Sequence, residues 1–227
     1  MTVKFGELTV SEFIQAVAEG SPTPGGGSVS ALIVGLSSAL VGMVGSLTAA
    51  RVQAKTSGKR DGEDSDTQCE NQALKQRMLD MVNTANHLQA RFLDLANEDS
   101  AAYDKVMTAY KLPKSTEEEK QARSLAIQDA LKDACRVPAE VVTCALEVLR
   151  LTEAMVEYGM KSALSDVAVA CLSAWAGMRG AYFNVRVNLP SIKDASFVKC
   201  IEGDVANCMS SGSDIFERVM AQIQQSL

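Results

Sequence analysis

Pro22-Thr23-Pro24-Gly25-Gly26-Gly27-Ser28 opens onto a run from Val29 to Ala50, 22 residues without a charge, that ends only at Arg51. A helix that is apolar nearly all round must be buried in protein or in lipid. The fold is therefore expected to be built around this run. Two prolines and three glycines fix the loop before it, and Ser28 is placed as the N-cap, its hydroxyl taking a first-turn N–H. A glycine-rich loop at a helix N-terminus gathers free N–H groups at the positive end of the helix dipole. Pro24, Gly25, Gly26, Gly27 and Ser28 are therefore candidates for binding an anion or a polar ring edge. No Gly-Lys-Ser/Thr ending and no preceding strand accompany them, which excludes a Walker loop and a dinucleotide fingerprint. The plain alternative is a tight turn where a short helix folds back on a buried one.

Within the run, Gly35, Ser38, Gly42, Gly45 and Ala49 form a stripe of small residues that lets a neighbouring helix come close. Membrane helices use the same device, and a charge-free run of 22 residues is long enough to cross a bilayer. Ser30, Ser37, Ser38, Ser46 and Thr48, with no basic N-terminal flank, favour burial in protein instead. Upstream, Thr9-x-x-Glu12 is a capping box for a helix with Val10, Phe13, Ile14 and Val17 on one side, stopped by Gly20. Downstream, residues 56–66 read as a solvated loop.

A long helix follows from about Thr67 to Tyr110. Its apolar stripe reads Leu74, Met78, Met81, Ala85, Leu88, Phe92 and Leu95, then Asp99, then Ala102 and Val106. Leu112-Pro113 breaks it. Thr116-x-x-Glu119 caps the next helix, which runs to about Cys135, and Pro138 starts or kinks the one after, to Gly159. From Ala163 the chain is again apolar and rich in small residues up to Pro190. Asp194 caps a last amphipathic helix. No strand or hairpin signal occurs. The expectation is an all-α bundle of about seven helices, two of them long, central and rich in small residues, in one domain over residues 1–227.

Net charge is −6 and aromatic content 5%, with no long basic run, so nucleic acid is not the expected partner. The six cysteines include no Cys-x-x-Cys pair and are expected as reduced thiols in a cytoplasmic protein. The single histidine, His87, lies on a polar surface and leaves no His-rich metal site. No metal and no cofactor are expected.

Two carboxylates stand out. Asp99 occupies a core position of its stripe, and Asp166 is the only charge between Lys161 and Arg179. A buried carboxylate needs partners or a purpose. Each either pairs structurally, Asp166 with help from Ser162 and Ser165, or acts as a general acid or base. Along the helix from Asp166 come Ala170, Ser173, Gly177, Ala181 and Asn184, a second small-residue face. Asn184 and Asn188 put two amides one turn apart, suited to a heterocycle edge or to capping near Pro190. Arg179, Arg186, Lys193 and Lys199 form a basic island.

Taken together, several stretches resemble the C-terminal formiminotransferase-cyclodeaminase family. They are the PTPGGGS loop, Asp99-Ser-Ala-Ala-Tyr103, Ala109 to Lys114, Thr116 to Lys120, Val137-Pro138, Leu164-Ser165-Asp166 and Gly180 to Leu189. The resemblance runs over nearly the whole chain, in order. One departure is Gly159-Met160-Lys161, where the family pattern has Gly-Asn. The insertion around residues 57–66 is also longer. The resemblance implies an all-helical homodimer acting on a tetrahydrofolate substrate without metal. Two reactions fit: hydrolysis of 5,10-methenyltetrahydrofolate to 10-formyltetrahydrofolate, and cyclodeamination of formiminotetrahydrofolate. A non-catalytic helical interaction protein is the other reading. Under the enzyme reading Asp99 and Asp166 are the catalytic candidates. The glycine loop binds the pterin edge or a carboxylate of the glutamate tail, Asn184 and Asn188 suit the ring edge, and Lys114 or the basic island takes the glutamate tail.

Overall fold

The computed structural model describes residues 4–57 and 65–226, and the described residues are helical with no strand. Six α-helices follow one another: α1 Val10–Ala18, α2 Gly26–Ser57, α3 Ser65–Tyr110, α4 Glu117–Tyr158, α5 Leu164–Asn188 and α6 Ala195–Ser226. Short 3-10 turns precede α1 and flank α5. Most of the expected 56–66 loop lies outside the described residues.

Side chains at the helix ends explain several of these limits. Both capping boxes form, Thr9 with Glu12 and Thr116 with Glu119. Gly20 follows α1 with φ at 76°, a conformation that side chains resist. Asp194 accepts the Phe197 N–H at 3.1 Å and opens α6. The apolar stripe of α1 is not packed as expected. Val10 and Ile14 are exposed, at 77% and 63%, and only Phe13 finds a ring, Phe5, at 5.6 Å.

The expected break at Pro138 does not occur. α4 runs unbroken through Pro138. Proline lacks the N–H that would reach the carbonyl one turn back, at Ala134. Asn188 of α5 supplies the missing donor instead, its side-chain amide lying 2.9 Å from that carbonyl. Two expected helices are thus one.

α2 is the central element, packed between α3 and α5 with α4 behind. By length and composition alone it could cross a membrane, yet Val34, Val41 and Val44 are wholly buried against protein. Its small-residue stripe faces α3: Gly35 sits under Phe92, Gly42 beside Ala85, and Gly45 beside Val82. Its hydroxyls are satisfied by carbonyls, Ser37 on Ala170 and Ser38 on Ala85. Gly180 lies against Ser30, Gly177 against Val34, and Ala170 against Ser37. α2 and α5 are therefore antiparallel, in contact along their second small-residue face. Phe92 is the largest fully buried side chain, and cutting it to alanine would cost about 3–5 kcal/mol.

Candidate active site

Where α2 begins, three helices converge. Ser28 was expected to cap α2 but lies inside it, because the helix starts at Gly26. Its buried hydroxyl reaches across to α3, 2.9 Å from the Ala96 carbonyl and 3.0 Å from Asp99 Oδ2, with the Ser100 hydroxyl at 3.2 Å. The Ser28 N–H also bonds the Asp99 carboxylate. The cap of α2 is thus a carboxylate from another helix, which suits the positive end of the dipole. Gly27 makes room for it, since a Cβ there would land on the Asp99 oxygens.

Asp99 is half-buried, and no cation among the described residues pairs with it. Burial raises its pKa above the usual carboxylate value; the two bonds from Ser28 oppose that rise without cancelling it. From the other side comes α5. The Asn184 amide lies 3.6 Å from the place a Gly26 side chain would take, and it is steadied by donating to the Gly180 carbonyl at 2.9 Å. Ser30 bonds the Gly26 carbonyl at 2.6 Å. Pro24, preceded by a cis peptide bond, is buried beneath the loop, and Gly25 accepts the Val29 N–H at 3.0 Å. The result is a carboxylate of raised pKa beside polar N–H groups and an amide.

The remaining expected residues lie elsewhere in the protomer. Asn188 is engaged on α4. Asp166 stands in the first turn of α5, 18 residues before Asn184, so roughly 27 Å away along the helix. Its side chain makes no hydrogen bond or ion pair with another described residue, so neither Ser162 nor Ser165 holds it. Lys114 is exposed at the same end of the bundle as Asp99. It lines a groove of about 530 Å³ with Tyr110, Lys120, Arg123, Gln128 and Lys193. Arg123 is fixed there by two bonds to the Tyr110 carbonyl at 3.0 and 3.3 Å. The Met160-Lys161 departure sits at the Asp166 end. The Met160 N–H donates to Thr48, and Lys161 donates to the Val156 carbonyl at the end of α4.

A sequence model of the formiminotransferase-cyclodeaminase family matches residues 9–207. The chain belongs to the formiminotransferase-cyclodeaminase family. It is similar to a methenyltetrahydrofolate cyclohydrolase of Methylorubrum extorquens, 35% identical over 222 residues, which cover 96% of this chain and 99% of that protein. It also resembles the formimidoyltransferase-cyclodeaminase of Rattus norvegicus, 32% identical over 84% of this chain but only 32% of that longer protein. The crystal structure of formiminotetrahydrofolate cyclodeaminase from Thermotoga maritima superposes with a TM-score of 0.79 at 28% identity, covering 97% and 98% of the two chains.

The geometry gives a place at the site to residues that the motifs or the charge-free run contain but to which the sequence alone assigned no role there. Ser100 completes the hydroxyl pair under Asp99, and its signal was a serine beside a carboxylate in a core stripe. Ser30 and Gly180 set the spacing of α2 and α5, for a Cβ on Gly180 would strike the Ser30 hydroxyl. The cysteines are all free, and burial pushes the Cys135, Cys144 and Cys171 thiols up to about 11, so they stay protonated. His87 is exposed, bonded only to the Asn83 carbonyl of its own helix.

Proposed function

We propose that the chain, acting as one helical domain, hydrolyses 5,10-methenyltetrahydrofolate to 10-formyltetrahydrofolate. The observation that carries this reading is Asp99: a half-buried carboxylate without a cation, pKa raised, held at the start of α2 and flanked by an amide. The substrate bears a delocalised amidinium cation bridging N5 and N10. An unpaired carboxylate attracts that cation, most strongly where water is scarce. Water adds to the bridging carbon as the carboxylate takes one of its protons. The same group then delivers a proton to N5, the C–N5 bond breaks, and the formyl group stays on N10, with one proton released overall. A carboxyl whose pKa is raised by burial is better suited than an exposed one to both halves of this cycle.

The N–H groups at the start of α2 and the Asn184 amide meet the polar edge of the pterin, and the groove at Lys114 offers cations to the glutamate carboxylates. The reaction draws on protein groups alone, without metal or organic cofactor, in a cytoplasmic homodimer. The full-length match to a cyclohydrolase supports this assignment. The Thermotoga maritima structure supports the second reading, in which the same site expels ammonia from formiminotetrahydrofolate.

The test is the near-ultraviolet methenyl band mixed with purified protein, spontaneous hydrolysis subtracted. Catalysed loss establishes the cyclohydrolase. Growth of the band from the formimino substrate, with ammonia released, establishes the cyclodeaminase. No change with either substrate returns the chain to the interaction-protein reading.

A further inference from the structure

The sequence makes Ser28 a candidate for touching the substrate, but the structure buries it completely. What its hydroxyl does for the reaction, it does through a neighbour. Three oxygens surround it: the Ala96 carbonyl at 2.9 Å, Asp99 Oδ2 at 3.0 Å and the Ser100 hydroxyl at 3.2 Å. A hydroxyl has one proton to give and two lone pairs to accept with. Ala96 and Asp99 therefore compete for a single proton, while the Ser100 hydroxyl is placed to donate to Ser28.

The charge on Asp99 decides that competition. An ionised carboxylate takes the proton, because a charge-assisted bond is about twice as strong as a neutral one. The Ala96 carbonyl can release it, since it lies inside α3 and already accepts the Ser100 N–H of the helix ladder. Once Asp99 is protonated, its oxygen is a weaker acceptor than an amide carbonyl, and the Ser28 proton turns to Ala96. Only a hydroxyl hydrogen swings; no heavy atom moves. Oδ1 receives no side-chain donor among the described residues, which leaves it to exchange protons with a ligand.

Other charges on the neighbouring elements are engaged elsewhere. α2 has no titratable group from Gly26 to Ala50, and the loop over 20–25 has none either. Glu98 of α3 and Glu140 of α4 are both held by Arg91. On α5, Arg186 is bonded to the Tyr182 hydroxyl and Arg179 lies over the Trp175 and Phe183 rings. Tyr103 stands one turn on from Asp99 along α3. Burial and the Ser28 bonds shift the Asp99 carboxyl, with no charge contributing among the described residues.

We propose that Ser28 is a positioning residue whose hydroxyl proton follows the charge of Asp99, donated to Oδ2 in the ionised state and to the Ala96 carbonyl in the protonated one. The carboxyl is thus held in one place as base and then as acid, and the site has nothing to rearrange between the two halves of the cycle. That use in catalysis rests on the folate reading; the reorientation of the proton does not.

The test is carbon-13 NMR of the full chain through a pH titration, with Asp99→Asn identifying the Asp99 carboxyl signal. In the wild type the Ala96 carbonyl is expected to move downfield as Asp99 takes up its proton, with the same midpoint. Ser28→Ala should still fold, since the Ala96 carbonyl keeps its helix bond. In that variant the Asp99 midpoint is expected at higher pH, one donor to the carboxylate being gone, and the Ala96 step should vanish. An Ala96 carbonyl indifferent to Asp99, or one that moves equally in both proteins, overturns the proposal. So does a midpoint that Ser28→Ala leaves unchanged or lowers. With methenyltetrahydrofolate, Ser28→Ala is expected to lose about tenfold in kcat with KM little changed, and the acidic limb of its pH profile should move up with the carboxyl midpoint. A raised KM at unchanged kcat would make Ser28 a binding residue and overturn the positioning role. Should the wild type turn over neither folate, the reaction assignment fails, while the two titrations still decide the reorientation.

Discussion

The two ends of α5 carry the same sequence signal and receive opposite treatment. Asp166 and Asn184 each punctuate an apolar, small-residue helix. At the Asn184 end the start of α2 and the last third of α3 close in, and Asp99 is half-buried and bound by Ser28. At the Asp166 end the neighbours stop short, and the carboxylate has no described partner. A carboxylate's chemistry is thus set by which helix ends meet, not by its own helix. The antiparallel packing of α2 on α5 decides it, through Gly177 on Val34 and Ser37 on Ala170.

The comparison breaks most visibly at Asp99. Asp99→Asn is expected to lower turnover by about a hundred- to ten-thousand-fold. Its effect on stability has the opposite sign. The fold raises this carboxyl's pKa, so protonation favours the native state. That contribution is complete below the ordinary value near 3.8 and is lost as pH rises through the folded value. Above the folded value the ionised carboxylate burdens the fold, and at pH 7.5 the asparagine should raise Tm by about 2–4 °C. At pH 4 the gain should shrink toward zero. Calorimetry at the two pH values checks it, and a gain that grows with acid would contradict the burial argument.

Gly27→Ala tests the same end by geometry. Its Cβ displaces the Asp99 carboxylate, so turnover should fall about a hundredfold even in folded protein. Turnover near wild type would mean that Asp99 is not held where the chemistry happens. Asn188→Ala strands the Ala134 carbonyl and should cost about 1–3 kcal/mol in urea denaturation. Pro138→Ala restores the backbone donor, and adding it should recover most of that loss; additivity of the two would refute the shared bond. Smallest is Lys114→Ala, expected to raise KM about three- to tenfold with kcat unchanged, as an exposed cation warrants.

Much of the bundle was legible because helical spacing is local. The stripe from Leu74 to Val106 placed Asp99 in the core, and the small residues of α2 and α5 announced close packing. What escaped was whatever depends on a distant segment. Pro138 reads as a break until an amide 50 residues downstream supplies its missing donor. Ser28 reads as a cap until α3 arrives with a carboxylate that takes over the cap. Periodicity put Asp166 and Asn184 on one face but carried no information about which helix end would lie beside either. The stripe of α1 was visible, and its failure to pack was not, because nothing local reveals what covers it.

The bond from Asn188 to Ala134 makes one helix finish another's backbone ladder. Helices usually fray independently, each amide reporting the opening of its own turn. At the level of Pro138 this independence is gone: α4 cannot keep its ladder satisfied once the end of α5 lifts away. Hydrogen exchange in the turn around Ala134 should therefore follow the detachment of α5, so that the two helices open as one cooperative unit. The segment that carries Asn184 into the site would then be among the last parts of the bundle to loosen.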